Sequence, residues 1–170
     1  MNWDVRVQNA IDMKRVTLLI LLTTLSLTGY SQSGDNEDYL SLFKRSFAIN
    51  FRLPKSLEDV GTSVFAIMKI GFNNKGEVDK LEFSDSAPKE FIEEMNRIKD
   101  KVNFHAIYKD LRISDPDIQV LVPIQLDAYK PSLGPLSVQK DVLDKLYLFK
   151  GKTITGSYLF YERISQQYFY

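Results

Sequence analysis

Apolar side chains recur at every second position from Val64 to Phe72. Val64, Ala66, Met68, Ile70 and Phe72 lie on one face of an extended chain, and Phe65, Ile67, Lys69 and Gly71 on the other. A helix would scatter this pattern around its axis, so the segment is committed to a strand with one face in a core. Asn73-Asn74-Lys75-Gly76 follows, four residues that tolerate the positive φ of a tight turn. Glu77 to Phe83 then carries apolar Val78, Leu81 and Phe83. The change of parity between Val78 and Leu81 predicts a bulge or twist. Residues 64–83 therefore read as a β-hairpin. Two strands alone are at best marginally stable in water, so the rest of the chain must cover this one.

The cover follows directly. Phe91, Ile92, Met95, Ile98 and Val102 form one apolar stripe at helical spacing, which predicts an amphipathic helix over 87–102. Ser86 is placed to cap it, and Pro88 is tolerated in its first turn. Phe104 to Asp117 reads as a loop or a broken strand. Ile118 to Leu126 returns to period two, with Ile118, Val120, Val122, Ile124 and Leu126 on one face. Pro123 lacks the N–H of a ladder bond, so this strand is expected at an edge, or with that position unpaired. The expected fold class is α+β: a small antiparallel sheet, made of the hairpin 64–83 and a strand near 118–126, packed by the helix 87–102 and followed by a C-terminal extension, 128–170. Leu40, Phe43 and Phe47 predict a short helix over Tyr39–Phe51, stopped by Leu53-Pro54. Within the extension, Tyr129 to Pro135 is a break, Val138 to Phe149 has a helical stripe, and Ser157 to Tyr170 is aromatic-rich with a last strand in it.

Val16 to Leu27 (VTLLILLTTLSL) is an apolar run preceded by Lys14-Arg15 and followed by Gly29-Tyr30-Ser31. A basic flank, a short apolar core and a small-x-small pattern describe a signal peptide over residues 1–31. The run is shorter than the roughly 17–25 residues of a spanning helix. Met13 directly precedes Lys14 and is a plausible start, because Met1 to Asp12 is unlike a basic leader. Residues 32–50 then hold a polar leader and the short helix. Cleavage gives an exported chain, periplasmic or secreted, with no integral membrane span; retention of the apolar run as an anchor is the alternative.

Composition closes several classes. The absence of cysteine excludes a thiol nucleophile, a disulfide framework and thiolate zinc sites. A single histidine excludes multi-histidine metal sites, and 22 basic against 22 acidic groups give none of the basic surplus of a nucleic-acid binder. No Gly-rich phosphate loop or nucleophile elbow is present, and no cofactor is expected. Asp79, Glu82 and Asp85, and Asp110, Asp115 and Asp117, read as solvated carboxylates, and His105 as a surface or packed imidazole. Tyr158 and Tyr161 belong to an aromatic end that either completes the core or forms a contact surface.

The run VGTSVFAIMKIGFNNKGEVDKLEFSDSAPKEFIEEMNRI resembles the C-terminal domain of TonB-type energy transducers. Gly61, Phe72, Gly76, Val78 and Ser84 or Ser86 fill the family's strand, turn and serine positions. Phe104 fits the aromatic after the helix, and Val122-Pro123-Ile124 the core of a later strand. The likeness spans about residues 51–127. The chain departs from the family at Val102 and Ala106, where Trp and Pro are common, and in lacking a long proline-rich spacer. The resemblance implies a non-catalytic module that binds an extended segment of an envelope protein, such as an outer-membrane transporter, by adding it to a sheet edge. Val120, Val122, Ile124 and Leu126 are the expected binding strand, with Tyr158 and Tyr161 as further contacts. A membrane-anchored transducer component and an enzyme with an unconventional carboxylate site are the alternatives.

Overall fold

A computed structural model describes residues 38–60, 63–115, 117–129 and 140–169. The expected signal peptide 1–31, the polar leader and the break after Tyr129 lie outside the described residues.

The alternating segment forms strand β1 (Val64–Phe72), joined through the Asn73–Gly76 turn to β2 (Val78–Phe83). The turn is built as its residues require. Gly76 takes φ +75°, and the Asn73 side chain accepts the N–H groups of Lys75 and Glu77 at 2.9 and 3.0 Å. The expected bulge is present: Gly71 faces Lys80 while Phe72 faces Val78, so Asp79 is the extra residue. Ser84 extends the pairing beyond β2. Its N–H donates to the Ile67 carbonyl and its hydroxyl accepts the Ile67 N–H, both in a buried setting.

On the other side of β1 lies β3 (Gln119–Tyr129), antiparallel, with Ile67 opposite Pro123. The C-terminal segment supplies two more strands, β6 (Tyr158–Phe160) and β7 (Ile164–Phe169), both parallel to β3. Among the described residues the sheet thus has five strands in the order β2-β1-β3, with β6 and β7 following one another along the far side of β3. The fold is α+β, as expected. The segment after residue 127 is built into the same sheet: β3 itself runs to Tyr129, and Tyr161 and Ile164 enter the main core.

Helices cover one face. α1 (Tyr39–Asn50) is capped by Asp38, whose carboxylate accepts the Ser41 N–H, and it buries Phe43 and Phe47. Proline 54 ends the extended stretch after it and opens α2 (Lys55–Val60), a short helix the apolar spacing did not reveal. α3 (Lys89–Ile98) buries Phe91, Met95 and Ile98. It is shorter than the expected 87–102, and Val102 is buried after a turn instead. Pro88 is its N-cap; Ser86 does not cap but bonds the Ser84 hydroxyl at 2.9 Å. The stretch from Phe104, expected as loop or broken strand, is a helix, α4 (Phe104–Asp110), because Asn103 caps it through the Ala106 N–H and Phe104, Ala106 and Ile107 face inward. These helices enclose Val64, Met68, Ile70, Val120, Val122 and Leu126, all fully buried. At roughly 1.5–3 kcal/mol for each large apolar side chain, this layer dominates stability.

The opposite face has a smaller cover. The helix expected over Val138–Phe149 is only α5 (Lys140–Lys145). The chain then turns through a miniature hairpin, β4 (Leu148–Phe149) and β5 (Lys152–Thr153), which drops Phe149 onto Ile67 and Leu121.

Candidate functional site

Sheet edges are the natural contact features of such a fold, since an edge strand carries unpaired N–H and C=O groups. The expected binding strand is not one of them. Val120, Val122, Ile124 and Leu126 belong to β3, which has β1 on one side and β6 and β7 on the other, and their side chains are no more than 2% exposed. Of the two readings of Pro123, an edge strand or an unpaired position, the first is corrected and the second holds. The N–H and C=O of Ile67 point to Ser84, so Pro123 opposite turns its own nitrogen away from β1. It points toward the C-terminal segment, where β6 ends at Phe160 and β7 begins at Ile164, so the missing donor falls in a gap of the ladder. The proline marks an unpaired position inside the sheet.

The two expected tyrosines separate. Tyr161 is a core residue, 7% exposed, edge-on to Phe43, with its N–H on the Leu121 carbonyl and its hydroxyl donating to Asp110 at 2.8 Å. Burial, reinforced by the Asp110 carboxylate, pushes its phenol well above the ordinary value of 10.0. Tyr158 is half-buried beside Phe149 and donates to the Thr155 carbonyl. Tyr161 is therefore part of the core and not of a contact surface, whereas Tyr158 keeps part of its ring exposed.

Of the candidate carboxylates, Glu82, Asp85, Asp110 and Asp115 are engaged in holding the chain. Glu82 meets Lys69 at 2.9 Å, Lys150 at 3.0 Å and Lys80 at 3.3 Å. The Lys69 hydrogen bond, with help from the other two lysines and against the cost of burial, brings its carboxyl down to about 2. Lys69 also lies over the Phe149 ring, 4.5 Å from its centre. Asp85 accepts the N–H groups of Lys150 and Gly151 at 2.8 and 2.7 Å. Asp115 accepts the Asp117 N–H, an ordinary turn contact. His105 stacks on Tyr108 and reaches the Gly76 carbonyl at 3.3 Å. No three His, Asp or Glu side chains are grouped to hold a metal among the described residues.

Among the described residues, the two outer edges of the sheet differ. In β2, Asp79, Lys80 and Glu82 put three charges on six residues, and the bulge at Asp79 twists the edge, which are the usual guards against pairing. β7 reads ISQQYF and carries no charge and no proline. Its Ile164, Gln166 and Tyr168 turn to the helix side, while Ser165, Gln167 and Phe169 are exposed on the other. Alongside, a groove of about 550 Å³ separates β7 from α1; Phe47, Ala48, Ile164, Ser165 and Gln166 line it, with the charges of Lys44, Glu162 and Arg163 around them. Lys44 and Glu162 pair across its end at 2.9 Å. The groove combines an apolar floor with an edge of backbone bonding groups. The sequence hint was slight, because Gln166 falls on the inward face and Phe169 on the outward one, and the parallel pairing to β3 that makes this strand an edge joins residues 40 apart and has no local signal.

No helix among the described residues is long and apolar enough to cross a membrane. No protein-family model, curated protein or solved structure matches the chain.

Proposed function

We propose that this chain is an exported, non-catalytic protein-interaction module that takes an extended segment of an envelope protein by strand addition at β7. The observation that carries the reading is the uncharged outer edge of Ile164–Phe169 bordering the α1 groove. An incoming strand gains backbone hydrogen bonds along β7, and its alternate side chains enter the groove against Phe47 and Ala48. The TonB-like order of glycines, serine turn and Val-Pro-Ile strand supports an envelope partner, a β-barrel transporter being the chemistry that resemblance implies. The site lies outside the segment that carries the resemblance, because β3 is already paired on both sides. A non-catalytic role is supported by the state of the carboxyl shifted furthest among the described residues: Glu82 is held ionised by three lysines and is a poor general acid near neutral pH.

The test is capture of partners from crosslinked envelopes of the native host, using the wild-type chain and the double variant Ser165→Lys/Gln167→Lys. Lysines on an edge strand block pairing without disturbing the buried face. The proposal expects a specific envelope protein to be recovered by the wild type and lost by the variant at unchanged circular dichroism. Equal recovery by both removes β7 as the contact.

A further inference from the structure

The small hairpin β4–β5 covers the sheet face opposite the helices. Ile67, Leu121 and Phe149 form an apolar cluster separate from the main core, with Leu146, Ile154 and Tyr158 around it. The Lys69 ammonium lies over the Phe149 ring, and the remaining fastenings are polar and gather at one end. Asp85 donates its N–H to the Leu148 carbonyl at 2.7 Å, and its two carboxylate oxygens take the Lys150 and Gly151 N–H groups. Those two residues are the loop of the hairpin, with φ of +54° and +75°. Two consecutive residues at positive φ make the tight turn of a two-residue hairpin, and lysine is an unfavourable choice for the first. The carboxylate of Asp85 compensates by gripping both amides, and the Lys150 ammonium adds a contact to Glu82.

We infer that the β4–β5 hairpin is a displaceable strap over a second apolar face of the sheet, with Asp85 as its latch. A unit that rests on a few apolar contacts and a solvent-exposed polar clasp opens at lower free energy than the core beneath it. Ile67 and Leu121 are 2% and 1% exposed with the strap in place. Lifting it uncovers them beside Pro123, which is half-buried, and Phe160, which is already 66% exposed. The open form therefore carries a continuous apolar strip along β1, β3 and β6 that the closed form hides. The strap is a conformational device and does not rest on the proposed contact at β7.

The chain has no cysteine, so a single introduced thiol reports the opening. In the full chain, Leu121→Cys is placed under the strap and Met68→Cys in the main core as a control, and the rate of thiol labelling is measured for each. Ile67→Cys serves as a second reporter if Leu121→Cys does not fold. Labelling under the strap is expected to be faster than in the core. Adding Asp85→Asn removes the charge and one of the two acceptors, and is expected to raise labelling under the strap about tenfold, the size of a lost charge-assisted hydrogen bond, with the Met68→Cys rate unchanged. Equal labelling at both sites, an Asp85→Asn variant that leaves the strap site unchanged, or one that raises both rates together overturns the inference.

Discussion

Pro123 stands opposite Ile67 in the middle of the sheet, at a pair whose backbone groups all point away from one another. Ile67 bonds outward to Ser84, and Pro123 faces the step between β6 and β7. A proline in an interior strand is tolerated because the one donor it lacks had no acceptor there.

The neighbouring position has no such freedom. Val122 faces Met68 in the alternate pair of the ladder, where both residues exchange backbone bonds. Val122→Pro is expected to lose at least about 3 kcal/mol and to leave little folded protein. Pro123→Ala is expected to cost roughly 0.4–1 kcal/mol, through the greater freedom of the unfolded chain. Urea denaturation of the two variants checks the contrast; equal effects would place the ladder bonds elsewhere.

Gly76 sits where no side chain fits. A Cβ there would meet Tyr108 at 2.6 Å and the His105 ring at 2.7 Å, and the residue holds φ +75°. Gly76→Ala is expected to destabilise by about 1–3 kcal/mol, combining backbone strain with displacement of two packed rings. Thermal or urea denaturation reads this directly.

Glu82 links stability to acid. Its folded-state carboxyl is held near 2 against an ordinary 4.5, chiefly by Lys69. The unfolded chain therefore takes up the proton first. The stabilisation is fully present above about pH 4.5 and is lost as the pH falls toward 2. Two of the three lysines, Lys80 and Lys150, are largely exposed, so the contribution is roughly 1 kcal/mol rather than the full shift. Glu82→Gln is expected to flatten the fall in unfolding midpoint between pH 4.5 and 2, measured by denaturation at a series of pH values.

Tyr161 behaves in the opposite sense. Its phenol is raised by burial and by Asp110, so the unfolded chain gives up the proton first, and stability declines as the pH rises through 10.0. Tyr161→Phe is expected to cost about 1 kcal/mol at neutral pH, the net worth of the Asp110 hydrogen bond. Urea denaturation of the variant and the wild type at neutral pH checks this; equal midpoints would remove the Asp110 bond from the stability of the fold.

The parts of this fold that could be read from the sequence are those with a long local period. The Val64–Phe83 hairpin, its turn and its bulge, the Phe91–Ile98 stripe and the alternation at Val120–Leu126 each span enough residues to declare their geometry. Lys55–Val60 and Phe104–Asp110 span two turns or fewer, too short for a stripe, and were set by Pro54 and by the Asn103 cap. That Val120–Leu126 is interior and not an edge was illegible for a different reason. Proline in Val122-Pro123-Ile124 is equally compatible with an edge and with a gap in a neighbouring strand, and only the long-range return of Tyr158–Phe169 decides between them. The same return takes Tyr161 from a candidate contact into the core.

The central claim is that β7, and not β2, meets the partner. A photo-crosslinking side chain is introduced at Ser165 on β7 and, separately, at Asp79 on β2, and each chain is irradiated in the native host envelope. The account predicts that Ser165 crosslinks to one envelope protein through a single extended segment, and that Asp79 does not. Crosslinking of that same protein from Asp79, with none from Ser165, would contradict it.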